Sequence, residues 1–459
     1  MSKSRTAAVL LAAGRGIRMK SALPKVLHPV AGRPMIGHLL DRLAVFRPER
    51  TIVVVSPGMQ EVAEFVAPAE TIIQDPPLGT GHAVMAARDA LDGFDGDVLV
   101  LCGDTPLLTE ATMKSVVAAR RAAGDPAVVV LGFRPDDPGD YGRLITTRDG
   151  CLQAIVEAND ADSAQREIDL CNAGIMAIDG KRMFALLESI GNDNAKDEYY
   201  LTDIVEIARS RGWGCNVVET DDPVEVMGVN SRAGLAEAEA SMQYRLRAEA
   251  MDNGATLTAP ETVWFCHDTK LGRDVTIGPN VVFGGGVSVG DNVEIRAFCH
   301  IDGATIENGA IIGPYARLRP GADIGANAHV GNFVEIKAAR LDEGAKANHL
   351  SYIGDSWVGS GANIGAGTIT CNYDGFFKWR TEIGAGAFIG SNTALVAPVK
   401  IGAGAITGAG STISKDVPDN ALSITRAPQA DRPGWAMTYR LRKEGEKDAA
   451  IAGKKKKAG

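Results

Sequence analysis

Residues 10–19 read LLAAGRGIRM, and the side chains that could do chemistry begin where the apolar run stops. Gly14 and Gly16 let the backbone approach a ligand closely, and Arg15, Arg18 and Lys25 place positive charge in the same loop. Peptide N–H groups at such a strand end can cradle phosphates. The loop is neither the dinucleotide glycine fingerprint nor the Walker lysine loop. Lone glycines would read as a plain turn; with these cations beside them they favour an anionic ligand. Asp104 follows directly on the buried run VLVL at 98–101, a place that favours a ligand role over an idle loop carboxylate. A third group lies between 315 and 355, where Arg317, Arg319, Lys337, His349 and Tyr352 gather. His28, His38, His82, His267, His300 and His329 are isolated and read as structural; His349 has cations and a tyrosine for company.

Positioning these groups takes two kinds of architecture. In the first half, AAVLLAA, TIVVV, DVLVLCGD and AVVVLGF read as buried parallel strands. Between them, Met35, Ile36, Leu39, Leu40 and Leu43 fall at helical spacing, as do segments 80–91 and 109–124, the latter capped by Thr109 and ended by Gly124. Alternating strands and helices predict a Rossmann-like α/β domain with a mostly parallel sheet over 1–230, binding its ligand beyond the carboxyl ends of the strands. Residues 231–254 predict a linker helix, with Leu235, Met242 and Leu246 on one stripe and Gly254 as its stop.

From 255 to 432 the period becomes six. Ile277, Phe283, Val289, Ile295 and Ile301 are evenly spaced; after a shift by one come Ile306, Ile312, Leu318, Ile324, Val330 and Ile336. After a longer insertion, Ile383, Ile389, Leu395 and Ile401 resume the series, and NYDGFFKWR at 372–380 breaks it. This is the hexapeptide signature of a left-handed parallel β-helix, in which insertions often mark the binding face. Residues 433–459 read as a charged, solvated tail ending in GKKKKAG.

Composition agrees. The chain has 459 residues, too many for one core. Its 53 glycines and 5% aromatics suit tight repeat corners. A net charge of −9 argues against nucleic acid as the main partner. The seven cysteines form no C-x-x-C pair, which argues against a cysteine zinc site and suits a reducing cytoplasm. No apolar run approaches the length of a membrane span. The opening residues mimic a signal peptide, but the apolar stretch is short and Arg15, Arg18, Lys20 and Lys25 follow at once, so a first strand is expected.

LAAGRGIRM followed by LPKV resembles the signature of the sugar-nucleotide nucleotidyltransferases, with Ile17 where that family usually has Thr. QDPPLGTGHA is similar to the family's uracil-recognition segment, with Gln74, Gly79 and Thr80 in place and Pro77 where close relatives often carry Gln. The resemblance implies a UTP site of Leu11, Ala12, Ala13, Gly14, Arg15, Lys25, Gln74, Gly79, Thr80, Cys102, Gly103 and Asp104, with Arg15 and Lys25 catalytic. YGR, IVEAND, CNAGI and MGVNSR resemble sugar- and metal-contacting segments and nominate Gly142, Glu157, Asn172 and Asn230; Asp104 and Asn230 would hold magnesium.

Joined to the hexapeptide repeat, the chain resembles the bifunctional N-acetylglucosamine-1-phosphate uridyltransferase/glucosamine-1-phosphate acetyltransferases, from the glycine loop to ITRAPQ. That implies acetyl transfer from acetyl-CoA to glucosamine 1-phosphate, then uridylyl transfer from UTP to N-acetylglucosamine 1-phosphate, feeding peptidoglycan and lipopolysaccharide synthesis. Arg319, Lys337, Tyr352, Asn363 and Lys378 would hold the glucosamine phosphate, with His349 as general base. Ala366, Asn372, Tyr373, Ser391, Ala409 and Arg426 would meet acetyl-CoA. A homotrimer follows by analogy. The rival expectation is a single-activity nucleotidyltransferase whose coil only regulates or assembles.

Overall fold

The computed structural model describes residues 5–148 and 150–457, divided into two compact units, Met1–Gly303 and Ala304–Gly459. In the first unit, nine strands form one sheet: β1 Thr6–Leu11, β2 Arg50–Val55, β3 Glu70–Ile73, β4 Asp97–Cys102, β5 Val128–Phe133, β6 Arg143–Thr146, β7 Leu152–Val156, β8 Cys171–Asp179 and β9 Cys215–Glu219. The order is β9-β5-β8-β4-β1-β2-β3, with β6 and β7 off that path. β1 runs parallel to β2 and β4, β2 to β3, and β5 to β9; β8 is antiparallel to β4 and β5. Alternate residues feed two cores, Ala7 and Val9 on one face and Ala8 and Leu10 on the other. Burial on both faces is why these strands read as unbroken apolar runs.

Leu11 and Cys102 are register partners at the ends of β1 and β4, and the Gly103 N–H donates to the Leu11 carbonyl at 2.9 Å. The glycine loop and Asp104 therefore leave the sheet side by side. Helix Glu110–Arg120 is capped by the Thr109 hydroxyl, which accepts from the Thr112 N–H at 3.2 Å.

Helix Arg232–Asp252 is more than a linker. Its Ala238 and Met242 are buried with Val30, Ala31, Met35, Leu107 and Val229. Gln243 exchanges side-chain hydrogen bonds with the Phe265 backbone at 2.6 and 2.8 Å, and the His267 N–H donates to the Ala31 carbonyl at 2.9 Å. These bonds group the helix and the coils up to Gly303 with the sheet, so the compact units part later than the change in sequence pattern.

In the second unit each coil contributes one short strand to each of three parallel sheets, the pattern of a left-handed parallel β-helix. Every aliphatic or aromatic of the six-residue series, from Ile277 to Ile401, is buried. The series does not pause after Ile336, as the sequence suggested. It continues inward through Leu341, Ala347, Ile353, Val358 and Ile364. The steps from Ile336 to Leu341 and Ile353 to Val358 span five residues, and each contains a left-handed residue, Ala338 (φ 44°) or Asp355 (φ 47°), that tightens the corner. Only 372–380 is a true insertion: Tyr373 and Lys378 form an antiparallel bridge, and Asp374 Oδ1 accepts from the Phe376 and Phe377 N–H groups at 2.8 and 2.7 Å. The expected tail forms a helix, Trp435–Lys457, solvent-exposed from Trp435 to Gly453. No helix among the described residues is long and apolar enough to cross a membrane.

Candidate active sites

Beyond the ends of β1 and β4 opens a cavity of about 290 Å³. Of the residues expected at a nucleotide, Leu11, Ala12, Ala13, Gly14, Lys25, Gln74, Gly79, Thr80, Cys102 and Asp104 line it, joined by Pro77 and Glu198. A β-carbon on Gly14 would meet nothing within 4 Å, so its backbone is open to a ligand. Gly16 has φ +59°, and a β-carbon there would lie 2.6 Å from Lys25 Cβ. Glycine is needed at that position for the loop to lie on the lysine stem. Arg15 and Arg18 are exposed and outside the lining, and Ile17 is 83% exposed. Gln74 is buried and donates from Nε2 to the Gly79 carbonyl at 2.9 Å, fixing the turn into helix Thr80–Ala86.

Lys25 Nζ donates to Asp104 Oδ2 at 2.5 Å and to Asn230 Oδ1 at 3.0 Å. These two oxygens, far apart in sequence, converge on one cation. An all-oxygen pair with a carboxylate suits magnesium, which needs few protein ligands because it keeps several waters. The residues present thus fit a magnesium site, with the ammonium as a stand-in ion. Cys102 stays a neutral thiol: burial, then the nearby Asp104 carboxylate, push its pKa up to about 12.

Gly142, Glu157 and Asn172 form a neighbouring cluster outside the cavity lining. The Asn172 N–H donates to the Gly142 carbonyl at 2.8 Å, and a β-carbon on Gly142 would lie 3.5 Å from both Glu157 carboxylate oxygens. Glu157 Oε1 accepts from Thr202 Oγ1 at 3.3 Å. Sequence reasoning missed Glu198, Tyr200, Thr202 and Asp203, whose only signal is the polar, tyrosine-bearing run at 197–203. Burial raises the pKa of Glu157, and burial followed by Glu206, Glu157 and Asp160 raises that of Asp203 to about 6.

A carboxyl whose folded pKa is raised destabilises the fold once it ionises. The penalty is absent below the unfolded pKa of 3.8 and complete above about 6. Asp203→Asn is therefore expected to raise the melting temperature at pH 7.5. The gain is about 1 kcal/mol after discounting for a half-buried group, or roughly 2–4 °C, and it vanishes near pH 3.5. Thermal scans at both pH values check this; an equal gain at both would assign it to another cause.

In the second unit, cations converge. Arg319 Nη1 donates to Glu335 Oε1 at 2.8 Å, and Lys337 Nζ lies 3.8 Å from Asp355 Oδ2. The pKa of Lys337 is lowered, first by its contact with Lys378, with Arg319 adding to the effect. Three like charges held this close are a grouping that an anion can relieve. Asn372, expected to meet the acyl donor, is buried and gives its amide to Asp355 and, at 3.5 Å, to Tyr352 Oη. Asn363 lies on the neighbouring sheet, in register with Lys346 and Phe388.

His349 is exposed at the end of strand Lys346–His349, and its Nδ1 lies 2.6 Å from Asn332 Oδ1. The two are register partners one coil apart, a spacing of 17 residues. Asn332 accepting from Nδ1–H leaves Nε2 with its lone pair outward. Asn332 escaped the sequence reading because no local pattern marks it, although one coil's spacing from His349 would have found it. Asn332→Ala is expected to lower acyl transfer roughly tenfold, because the tautomer that leaves Nε2 free is no longer set, while Asn332→Asp, which keeps an acceptor at the same place, should restore most of the rate. Steady-state rates of both variants check this; an Asp variant as slow as the Ala variant would leave Asn332 a packing role only.

Ala366, Ser391 and Ala409 stack along one edge of the coil. Their carbonyls accept from the Asn392 N–H at 2.7 Å, the Gly410 N–H at 2.7 Å and the Arg426 guanidinium, respectively. Tyr373 is exposed in the 372–380 insertion and donates from Oη to the Gly375 carbonyl at 2.6 Å.

Comparisons with known proteins agree with both units. A family model described as a MobA-like NTP transferase domain matches residues 8–170, and one described as bacterial transferase hexapeptide (six repeats) matches 268–303, 303–338 and 380–415. A protein of Paramagnetospirillum magneticum named "Bifunctional protein GlmU" is 60% identical over 447 residues, 97% of this chain and 99% of the relative. Its namesake from Rhodospirillum rubrum is 64% identical over 437 residues, 95% and 98% of the two chains, and that from Xanthobacter autotrophicus is 58% identical over 444, or 96% and 98%.

Proposed function

The chain belongs to the bifunctional GlmU family, and from that premise we infer its function: it is an enzyme with two activities in UDP-N-acetylglucosamine synthesis, an N-acetyltransferase on glucosamine 1-phosphate and a uridylyltransferase on N-acetylglucosamine 1-phosphate. In our reading residues 1–230 carry uridylyl transfer and 255–432 acetyl transfer, with 231–254 between them and 433–459 outside the chemistry. The carrying observation is that one chain holds an oxygen pair converged on a cation beside an open glycine backbone and, in its second unit, both an anchored imidazole and a cluster of cations.

In acetyl transfer, Arg319, Lys337 and Lys378 would bind the sugar phosphate and so aim its amine. The amine nitrogen attacks the thioester carbonyl of acetyl-CoA, the new C–N bond replaces the C–S bond, and CoA leaves as thiolate. His349 Nε2 takes the amine proton and can return it to the departing sulfur. The stacked edge at Ala366, Ser391 and Ala409, with Tyr373 and Arg426, would face the CoA.

In uridylyl transfer the sugar phosphate is already an anion and needs no base. Its oxygen attacks the α-phosphorus of UTP, and the bond to pyrophosphate breaks. Magnesium, when bound by Asp104 and Asn230, would supply charge neutralisation between two polyanions. Lys25, Arg15, Arg18 and loop N–H groups would hold the triphosphate and steady the pyrophosphate as it leaves. Gly79, Thr80 and Gln74 would seat the base, and Gly142, Glu157 and Asn172 the sugar. A homotrimer working in the cytoplasm completes the reading.

One reaction tube tests it: glucosamine 1-phosphate, acetyl-CoA, UTP and magnesium, assayed for UDP-N-acetylglucosamine, with each component omitted in turn. Product should require all four. Product only from ready-made N-acetylglucosamine 1-phosphate would sink the acetyltransferase half.

A further inference from the structure

We propose that Lys25 is the resident cation of the magnesium position, and that ion and ammonium trade places: the ion takes Asp104 and Asn230 while Lys25 swings onto the incoming triphosphate. This rests on the reading of Asp104 and Asn230 as ion ligands. The structure supplies the first half of the exchange. Lys25 Nζ sits 2.5 Å from Asp104 Oδ2 and 3.0 Å from Asn230 Oδ1, the oxygens an ion would need. The lysine and aspartate side chains are only 13% and 16% exposed, so water screens the pair poorly. An ion bridging those same two oxygen atoms would have to lie where the ammonium now sits.

Charge counting then orders the events. With Lys25 in place the carboxylate is already neutralised, and a free divalent ion meets little net attraction. It must also evict an ammonium that has nowhere else to bind. A triphosphate changes both terms, because it attracts the ion and offers the ammonium new oxygens. Lys25 can make the move because it lines the same cavity as the open Gly14 backbone. Gly16 packs against Lys25 Cβ and holds the base of the side chain, so the motion is confined to the outer stem. Metal and nucleotide thus enter together, and Lys25 guards the two oxygens against stray divalent ions.

The test uses the full chain without nucleotide. Manganese binding is followed by electron paramagnetic resonance, and acetic anhydride labelling of Lys25 by mass spectrometry. Lys25→Met, which keeps an apolar stem, is expected to bind manganese at least about tenfold more tightly than wild type. In the wild-type chain, saturating magnesium alone should raise the labelling rate of Lys25 several-fold, and magnesium with UTP should lower it again. Equal manganese affinity in the two proteins overturns the exchange. So does unchanged labelling when the ion is bound, because simple charge repulsion would weaken binding without releasing the amine. A chain that makes UDP-N-acetylglucosamine yet shows no exchange loses only this inference; one that shows the exchange but makes no product loses the functional reading instead.

Discussion

Replacing His349 by alanine is expected to cut CoA release from acetyl-CoA and glucosamine 1-phosphate by about 10²–10⁴-fold, while pyrophosphate release from UTP and N-acetylglucosamine 1-phosphate stays at the wild-type rate. The magnitude is that of a lost general base. His349 is exposed at a coil corner, and the residues filling the interior on either side of it are Ala347 and Ile353, so truncation leaves no cavity in the prism. Its side chain hydrogen-bonds to Asn332, whose amide is part-exposed rather than buried. The two substrates are assayed separately on one preparation, with thiol release read by a disulfide reagent and pyrophosphate by a coupled phosphatase. Equal loss in both assays would mean that His349 supports the fold rather than the chemistry. No loss in either would leave the coil without its base and favour an assembling or regulatory role for it.

How far these residues could be read from sequence depends on the range of the interaction. β1 and β4 were legible because both faces are buried, which writes apolar residues at every position. The interior of the coil was legible through the single five-residue step from Ile301 to Ile306, and became illegible between Ile336 and Ile383, where two such steps, at Ala338 and Asp355, follow closely and the 372–380 insertion comes after them. Lys25, Asp104 and Asn230 could each be nominated from motifs. That one ammonium bridges the other two could not be read, because those contacts close over 79 and 205 residues. Asn332 carries no local mark at all; its meaning comes from lying one coil from His349. The expected groups at Gly142, Glu157 and Asn172 do meet, but the carboxylates of 197–203 that surround them arrive from a separate loop.

Asp104→Ala is expected to lower uridylyl transfer by about 10³-fold or more and to leave acetyl transfer unchanged. Loss of one well-placed electrostatic partner commonly costs 10²–10³-fold, and this carboxylate serves twice. It would hold the ion, and it is the charged partner of Lys25, which would be left with Asn230 Oδ1 alone. Asp104→Asn separates the two roles, since it keeps an oxygen and the shape of the side chain but removes the charge. If ion binding dominates, Asn and Ala variants fall together and millimolar manganese restores part of the Asn rate. If holding the lysine dominates, Asn retains most of the activity and manganese adds nothing. The unscreened pair at the end of β4 favours the first result, because a divalent ion needs the full negative charge more than an ammonium with three donors does. Parallel loss of acetyl transfer in either variant would show that the damage had spread through the fold, and would remove Asp104 from the chemistry altogether.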